Sequence, residues 1–186
     1  MRTIKLTQAN AWRQMPPMGP LRKWLTDRGS LTARIIEHVA DFNLQRVAQH
    51  HAPPFIDEYH ALNLKQNEHA LIREVLLRDG ETPLIFAHSV VAPRDLHGAW
   101  RGLSRLGSRP LADMLFNDAT VVRLPMEYRK LDHRHPLYRR AASVCGALSP
   151  NLWARRSVFL KRGRPLMVSE VFVRLPIRSH NAKEKR

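Results

Sequence analysis

The 186 residues include one cysteine, Cys145, so no intramolecular disulfide can form and no second thiolate exists to build a zinc knuckle. Long apolar runs are missing as well. Stretches such as 84–87 stop far short of the roughly 20 residues that span a bilayer. Arg2 and Lys5 are followed by Gln8, Asn10, Arg13 and Gln14, not by the apolar core of a secretory signal. There is no Gly-x-Gly-x-x-Gly, no phosphate-binding loop, and no Gly-x-Ser-x-Gly elbow around Ser89, Ser104 or Ser157. No internal repeat or low-complexity tract occurs. These absences predict a cytoplasmic protein with no stable membrane insertion and no nucleotide-binding signature.

Acidic residues are scarce in the second half. Residues 1–93 carry a net charge of +2 and residues 94–186 carry +13, within a total of +15. Such a half invites nucleic-acid or membrane-surface readings, and equally an anionic substrate. The pairs Arg139-Arg140 and Arg155-Arg156 have only Tyr138 and Trp153 as neighbouring stacking groups, a weak pattern for single-strand recognition. The histidine pairs His50-His51 and His133-Arg134-His135 lack the His-x-x-x-His spacing that puts two imidazoles on one helix face. They are expected to be solvated loop residues, and no metal site is expected.

What is present is a folded composition, 44% hydrophobic and 25% charged, long enough for one domain. Residues 1–20, with Pro16, Pro17 and Pro20, read as an irregular arm; 21–178 as the domain; 179–186 as a disordered basic tail. A short helix is expected over 21–25. Ser30 looks like an N-cap; Leu31, Ile35, Ile36, Val39 and Phe42 then recur at helical spacing, and the segment through Val47 reads either as one helix or as a helix passing into a strand, before Pro53-Pro54 breaks the chain. Two strand-turn-strand units are clearest: 70–78 with 84–91 around Asp79-Gly80-Glu81-Thr82, and 157–160 with 166–175 around Lys161-Arg162-Gly163-Arg164. Between them the pattern predicts a helix over 94–106, a short one starting near Arg109-Pro110, and a strand over 120–128. Hairpins with interposed helices argue an α+β fold with a single antiparallel sheet packed by helices.

Alternation then singles out two charges. Leu71, Arg73, Val75 and Leu77 share one strand face, and Leu166, Val168, Glu170 and Phe172 share another. An inward guanidinium and an inward carboxylate are costly unless paired or bound to a ligand. Three explanations stay open on periodicity alone: a buried Arg73–Glu170 salt bridge, a register that turns both to solvent, or a pocket in which Arg73 grips a carboxylate.

Four segments, in order, resemble one known family. They are Leu71-Ile72-Arg73-Glu74-Val75-Leu76-Leu77 with Asp79-Gly80-Glu81 and Ser89-Val90-Val91, then 106–116 as Leu-Gly-x-x-Pro-Leu-x-x-x-Leu-Phe, then Leu152-Trp153-Ala154-Arg155-Arg156-Ser157, and 163–172 as Gly-x-Pro-Leu-x-x-x-Glu-x-Phe. Gly29-Ser30-Leu31-Thr32 stands where that family carries a Ser-Met-Thr-like step. The family is bacterial chorismate pyruvate-lyase, and the likeness runs over about residues 20–176. It implies one antiparallel sheet, a product enclosed under helical flaps, and a lyase that makes 4-hydroxybenzoate and pyruvate from chorismate, the first step toward ubiquinone. It implies no cofactor and no metal. Product binding is carried over to Arg73, Glu170 and the backbone N–H groups of Leu31 and Leu111, with Arg73 on the ring carboxylate and Glu170 at the C4 hydroxyl as the catalytic pair. These are the inward charges that alternation marks, and the agreement favours the pocket. Relatives can carry arginine near the position of His88, which leaves that histidine's part in substrate binding open. Segment 130–150 is longer than the family pattern and is expected to extend a loop or flap. A monomer with no nucleic-acid partner is expected. The rivals are a non-catalytic ligand-binding module of the same fold, for which no helix-turn-helix is expected ahead of Arg73, and a basic nucleic-acid-binding protein.

Overall fold

The computed structural model describes Trp12, Arg13 and residues 18–175. The expected arm lies mostly, and the expected tail wholly, outside these residues. Trp12 and Arg13 are docked: Arg13 exchanges two backbone hydrogen bonds with Tyr128, at 3.0 and 2.7 Å, and Trp12 Nε1 donates to Asp57 Oδ2 at 2.7 Å.

Among the described residues, seven strands form one antiparallel sheet: β1 (Phe42–Ala52), β2 (Ala70–Asp79), β3 (Thr82–Val91), β4 (Val121–Arg123), β5 (Glu127–Leu131), β6 (Leu152–Lys161) and β7 (Arg164–Phe172). The order across the sheet is β1-β2-β3-β7-β6-β4, with β5 also on β6. Both predicted hairpins form. Arg162 and Gly163 both take positive φ, 52° and 71°, which the tight turn between twisted strands demands. The expected strand over 120–128 is divided because Pro125, with no N–H to give a ladder, sits in its middle. Its halves pair with two stretches of the long β6, Phe159–Lys161 and Leu152–Arg156.

Helices cover both faces, so β2 and β3 are buried on both sides for most of their length. On the front lie α1 (Arg22–Leu25), α2 (Leu31–Ile36) and α4 (Ala112–Phe116); α3 (Ile56–Ala61) and α5 (Pro136–Cys145) lie at the back. Ser30 caps α2 as its side chain accepts from Ala33 N at 3.1 Å. The predicted helix over 94–106 is replaced by 3-10 turns at Pro93–Asp95 and Arg101–Arg105. Gly98 and Gly102 inside it weaken a regular helix, yet Leu96, Trp100, Leu103 and Leu106 still bury together against Leu71, Val91 and Leu166.

Segment 130–150 is not a flap over the front. Its helix α5 buries Leu137, Tyr138 and Ala141 against Leu76, Phe86 and Val171 on the back of the sheet. Nor is His135 a solvated loop residue. It is buried and caps α5, its Nδ1 accepting from Leu137 N at 3.2 Å, and burial followed by the Arg129 charge pulls its pKa down. His50 and His51 are exposed, on strand β1 and not in a loop, and His133 is exposed in a turn.

The back also encloses a charge cluster. His88, 1% exposed, stacks on Phe55 and lies 3.1 Å from Glu74 Oε1 and 3.4 Å from Glu58 Oε1. Arg140 clamps Glu74 from the other side through Nε and Nη2. Burial opposes charge on His88, but the two carboxylates outweigh it and raise its pKa to about 9. A raised folded-state value gives stability that is complete below the unfolded value, about 6.5, and that disappears as pH rises through about 9. Thermal unfolding of the wild type is therefore expected at falling temperatures between these limits, and His88→Gln is expected to remove that slope. Parallel profiles for the two proteins would show that the buried imidazole is uncharged.

Candidate active site

The front of the sheet presents two adjacent rows of side chains. Register places Arg73 beside Ser89, Ser89 beside Val168, and Val168 beside Ser157, on β2, β3, β7 and β6. The next row holds Val75, Ala87, Glu170 and Arg155 in the same strand order. Ala87, Ser89, Val168 and Ser157 are small, and their lack of bulk leaves a slot. Leu31 and Thr32 of α2, Leu111 just ahead of α4, and Leu115 and Phe116 within it close over the slot, with Phe159 at its side. All four residues expected from sequence, Leu31, Arg73, Leu111 and Glu170, line this one cavity.

Arg73 and Glu170 are not a salt bridge. They stand two strand steps apart, roughly 10 Å across the sheet, at opposite ends of the slot. Arg73 is 1% exposed, and among the described residues no carboxylate lies within ion-pair distance of it. Its Nη2 donates to the carbonyl oxygens of Gly107 and Arg109 at 3.2 and 2.9 Å, and its Nε has no partner. Both carbonyls belong to the Leu-Gly-x-x-Pro-Leu segment. Gly107 takes φ +61°, a conformation other residues seldom adopt, and this turn aims the loop's carbonyls at the guanidinium. Burial, and to a lesser degree Arg46, pulls the Arg73 pKa down to about 10. A cation in this state, oriented but uncompensated, is poised for an anion.

Glu170 has a different partner. Arg155 Nε donates to Glu170 Oε2 at 2.5 Å from the adjacent strand. The same guanidinium is 1% exposed, and its Nη1 donates to the carbonyls of Trp24, Leu25 and Asp27 at 3.0, 3.3 and 2.9 Å. These carbonyls lie at the end of α1 and just beyond it, where the helix leaves acceptors unused. Arg155 thus fixes the carboxylate and docks the segment that leads into α2. Its partnership with Glu170 follows from β6 starting at Leu152, five residues earlier than the alternation over 157–160 indicates. That longer strand turns Arg155 inward with Ser157 and Phe159.

A third guanidinium, Arg123, also lines the cavity. Its Nε donates to Ser157 Oγ at 2.9 Å and its Nη1 to the Arg28 carbonyl at 2.9 Å. It lies over the rings of Phe159 and Phe116, at 5.2 and 5.8 Å. No sequence signal marked it, because it sits on a three-residue strand too short to show alternation. His88 points to the other face and takes no part in the cavity.

Among the described residues no group of three or more histidine, cysteine or acidic side chains is arranged to hold a metal ion, and no helix is long and apolar enough to cross a membrane.

Comparison with known proteins agrees with this geometry. Solved structures share the fold at low identity. The C-terminal domain of PhnF is 14% identical with a TM-score of 0.57, over 74% of this chain and 86% of that one. A GntR-family transcriptional regulator from Bacillus cereus is 9% identical with a TM-score of 0.51, over 72% and 92%. Closer likeness is in sequence. A "Probable chorismate pyruvate-lyase" of Nitrosomonas europaea is 43% identical over 172 residues, 91% of this chain and 97% of the relative. One of Thiobacillus denitrificans is 47% identical over 153 residues, 82% of each. The profile of the family described as "Chorismate lyase" matches residues 6–183. With that match spanning the slot and every element that walls it, the chain belongs to the chorismate lyase family.

Proposed function

We propose that this protein converts chorismate to 4-hydroxybenzoate and pyruvate, with Arg73 and Glu170 at the two ends of the bound ring. The observation that carries the reading is the buried, carboxylate-free Arg73 facing, across a slot floored by small side chains, a carboxylate already held in place. A ring with a carboxylate at one end and a hydroxyl at the para position matches that spacing and polarity. Leu31 and Leu111 stand at the starts of α2 and α4, where the first N–H groups of a helix have no partner in the ladder. Their N–H groups complete the carboxylate site in this reading.

The chemistry needs orientation above all. The C3–O bond breaks with its electron pair going to the enolpyruvyl oxygen. The C4–H electron pair becomes a ring double bond, and the C4 proton ends on the methylene carbon that becomes the methyl of pyruvate. Atoms balance and the ring becomes aromatic with no net gain or loss of electrons, so the reading includes no redox cofactor and no metal. The protein's part is to fix the ring, fold the side chain over C4 and exclude water. Arg73 anchors the ring carboxylate. Glu170, oriented by Arg155, accepts the hydrogen bond of the C4 hydroxyl.

The reacting unit is the stretch 21–178, read as a cytoplasmic monomer that feeds the ubiquinone ring. Nucleic acid is no partner in this account. Part of the basic half is engaged internally, as in Arg140–Glu74, Arg156–Asp57, Arg156–Glu127 and Lys161–Asp118.

Purified protein given chorismate with a chelator present is expected to release 4-hydroxybenzoate and pyruvate in equal amounts. Binding without turnover would assign the chain to the ligand-binding modules of this fold instead. Arg73→Lys, which keeps charge but loses the planar fork, is expected to weaken 4-hydroxybenzoate binding. Arg73→Ala should weaken it further, by about 2–5 kcal/mol; unchanged affinity in a folded Arg73→Ala protein would remove the residue from the site. Glu170→Gln leaves Arg155 buried without its anion, so a lower melting temperature is expected. Turnover in the folded molecules should stay within about tenfold of wild type if Glu170 only orients the hydroxyl, as proposed. A fall of about 10²–10⁴-fold would assign it a proton-transfer role.

A further inference from the structure

Three guanidinia and one carboxylate line the slot: Arg73, Arg123, Arg155 and Glu170. Arg155 and Glu170 neutralise each other at 2.5 Å. The other two lack a carboxylate within ion-pair distance among the described residues, so the slot keeps two uncompensated positive charges. Arg73 has its place at the ring carboxylate. Arg123 stands on β4, four strand steps from Arg73, and its guanidinium reaches back over β6 to Ser157, which is three strand steps or roughly 14 Å from Arg73 across the sheet.

Its surroundings hold it in place. Ser157 and the Arg28 carbonyl fix Nε and Nη1, and the mutually edge-to-face rings of Phe116 and Phe159 both lie against the guanidinium. Its Nη2 has no partner among the described residues. Burial pulls its pKa down to about 10, with the Glu170 charge acting in the opposite sense. Ser157 pairs with Val168, two residues from Glu170 on the same strand face, so Arg123 stands at the Glu170 end, where C4 and the neighbouring C3 of the ring lie in the reading above. C3 bears the enolpyruvyl ether, whose carboxylate projects beyond the ring on that side.

We infer that Arg123 binds the second carboxylate of the substrate, the one on the enolpyruvyl group that departs as pyruvate. The inference rests on the chorismate reading and adds to it a recognition element for a dianion. Two carboxylates then meet two unpaired guanidinia, and charge balances only while the side chain is attached. Once pyruvate has left, 4-hydroxybenzoate carries one carboxylate and engages only the Arg73 end. Arg123 is thus a residue that tells substrate from aromatic product.

The test compares wild type, Arg123→Gln and Arg123→Lys, each checked for its melting temperature. For Arg123→Gln the expected result is a KM for chorismate raised at least about thirtyfold, with the dissociation constant for 4-hydroxybenzoate within about twofold of wild type. Inhibition by added pyruvate should weaken in parallel. Arg123→Lys should recover part of the chorismate affinity, because it restores the charge without the fork. An unchanged KM in Arg123→Gln overturns the inference. So does an equal loss of affinity for chorismate and 4-hydroxybenzoate, since that would mean Arg123 only shapes the slot. Wild-type protein that turns over no chorismate defeats the underlying reading as well, whereas wild-type turnover with either of the other two results defeats the inference alone.

Discussion

A guanidinium in an apolar interior must have partners for its five donors and a counter-charge, or it destabilises the fold that contains it. Three project from one sheet face in this protein, and how each is satisfied organises the front of the molecule. Arg155 has its counter-charge in Glu170, and its Nη1 is held by the carbonyls of Trp24, Leu25 and Asp27. That single side chain joins β6, β7 and the segment leading to α2, residues about 130 apart in the chain. Arg73 and Arg123 receive carbonyl or hydroxyl partners but no carboxylate. The fold thus bears two buried or half-buried cations whose compensation has to come from a ligand.

The back face shows the contrasting solution. There His88, Glu58, Glu74 and Arg140 supply both signs of charge, and the cluster is closed on itself. Its polar groups serve packing between α3, α5 and the sheet. Both faces of β2 carry a buried charge at neighbouring positions, Arg73 and Glu74, each 1–2% exposed. Only the one without an opposite charge marks a site. Burial alone does not separate the two cases; the presence or absence of the counter-ion does.

The hairpins, the Ser30 cap and the inward positions of Arg73 and Glu170 were legible in the sequence because each rests on local chemistry: turn residues, period-two alternation, a hydroxyl before a helix. The pairing of Glu170 was not. Alternation shows which face a side chain takes but not which neighbour it meets, and Arg155 escaped because the apparent start of β6 lay after it. Arg123 was hidden by Pro125, which cuts its strand to three residues. The helix expected over 94–106 does not form, since Gly98 and Gly102 favour tighter turns, and it is from those turns that Leu96, Trp100, Leu103 and Leu106 are buried. The family likeness supplied Leu31 and Leu111, which periodicity could not single out, because a backbone donor leaves no trace in side-chain pattern.

Chorismate lyase chemistry asks little covalent work of a protein and much orientation, and the central claim is that Arg73 sets the orientation. A crystal structure with 4-hydroxybenzoate bound tests this most directly. The account predicts the ligand carboxylate within hydrogen-bonding distance of the Arg73 guanidinium, with the phenolic oxygen against Glu170. A ligand bound in the reverse direction, or outside the slot with Arg73 still held only by the Gly107 and Arg109 carbonyls, would contradict it.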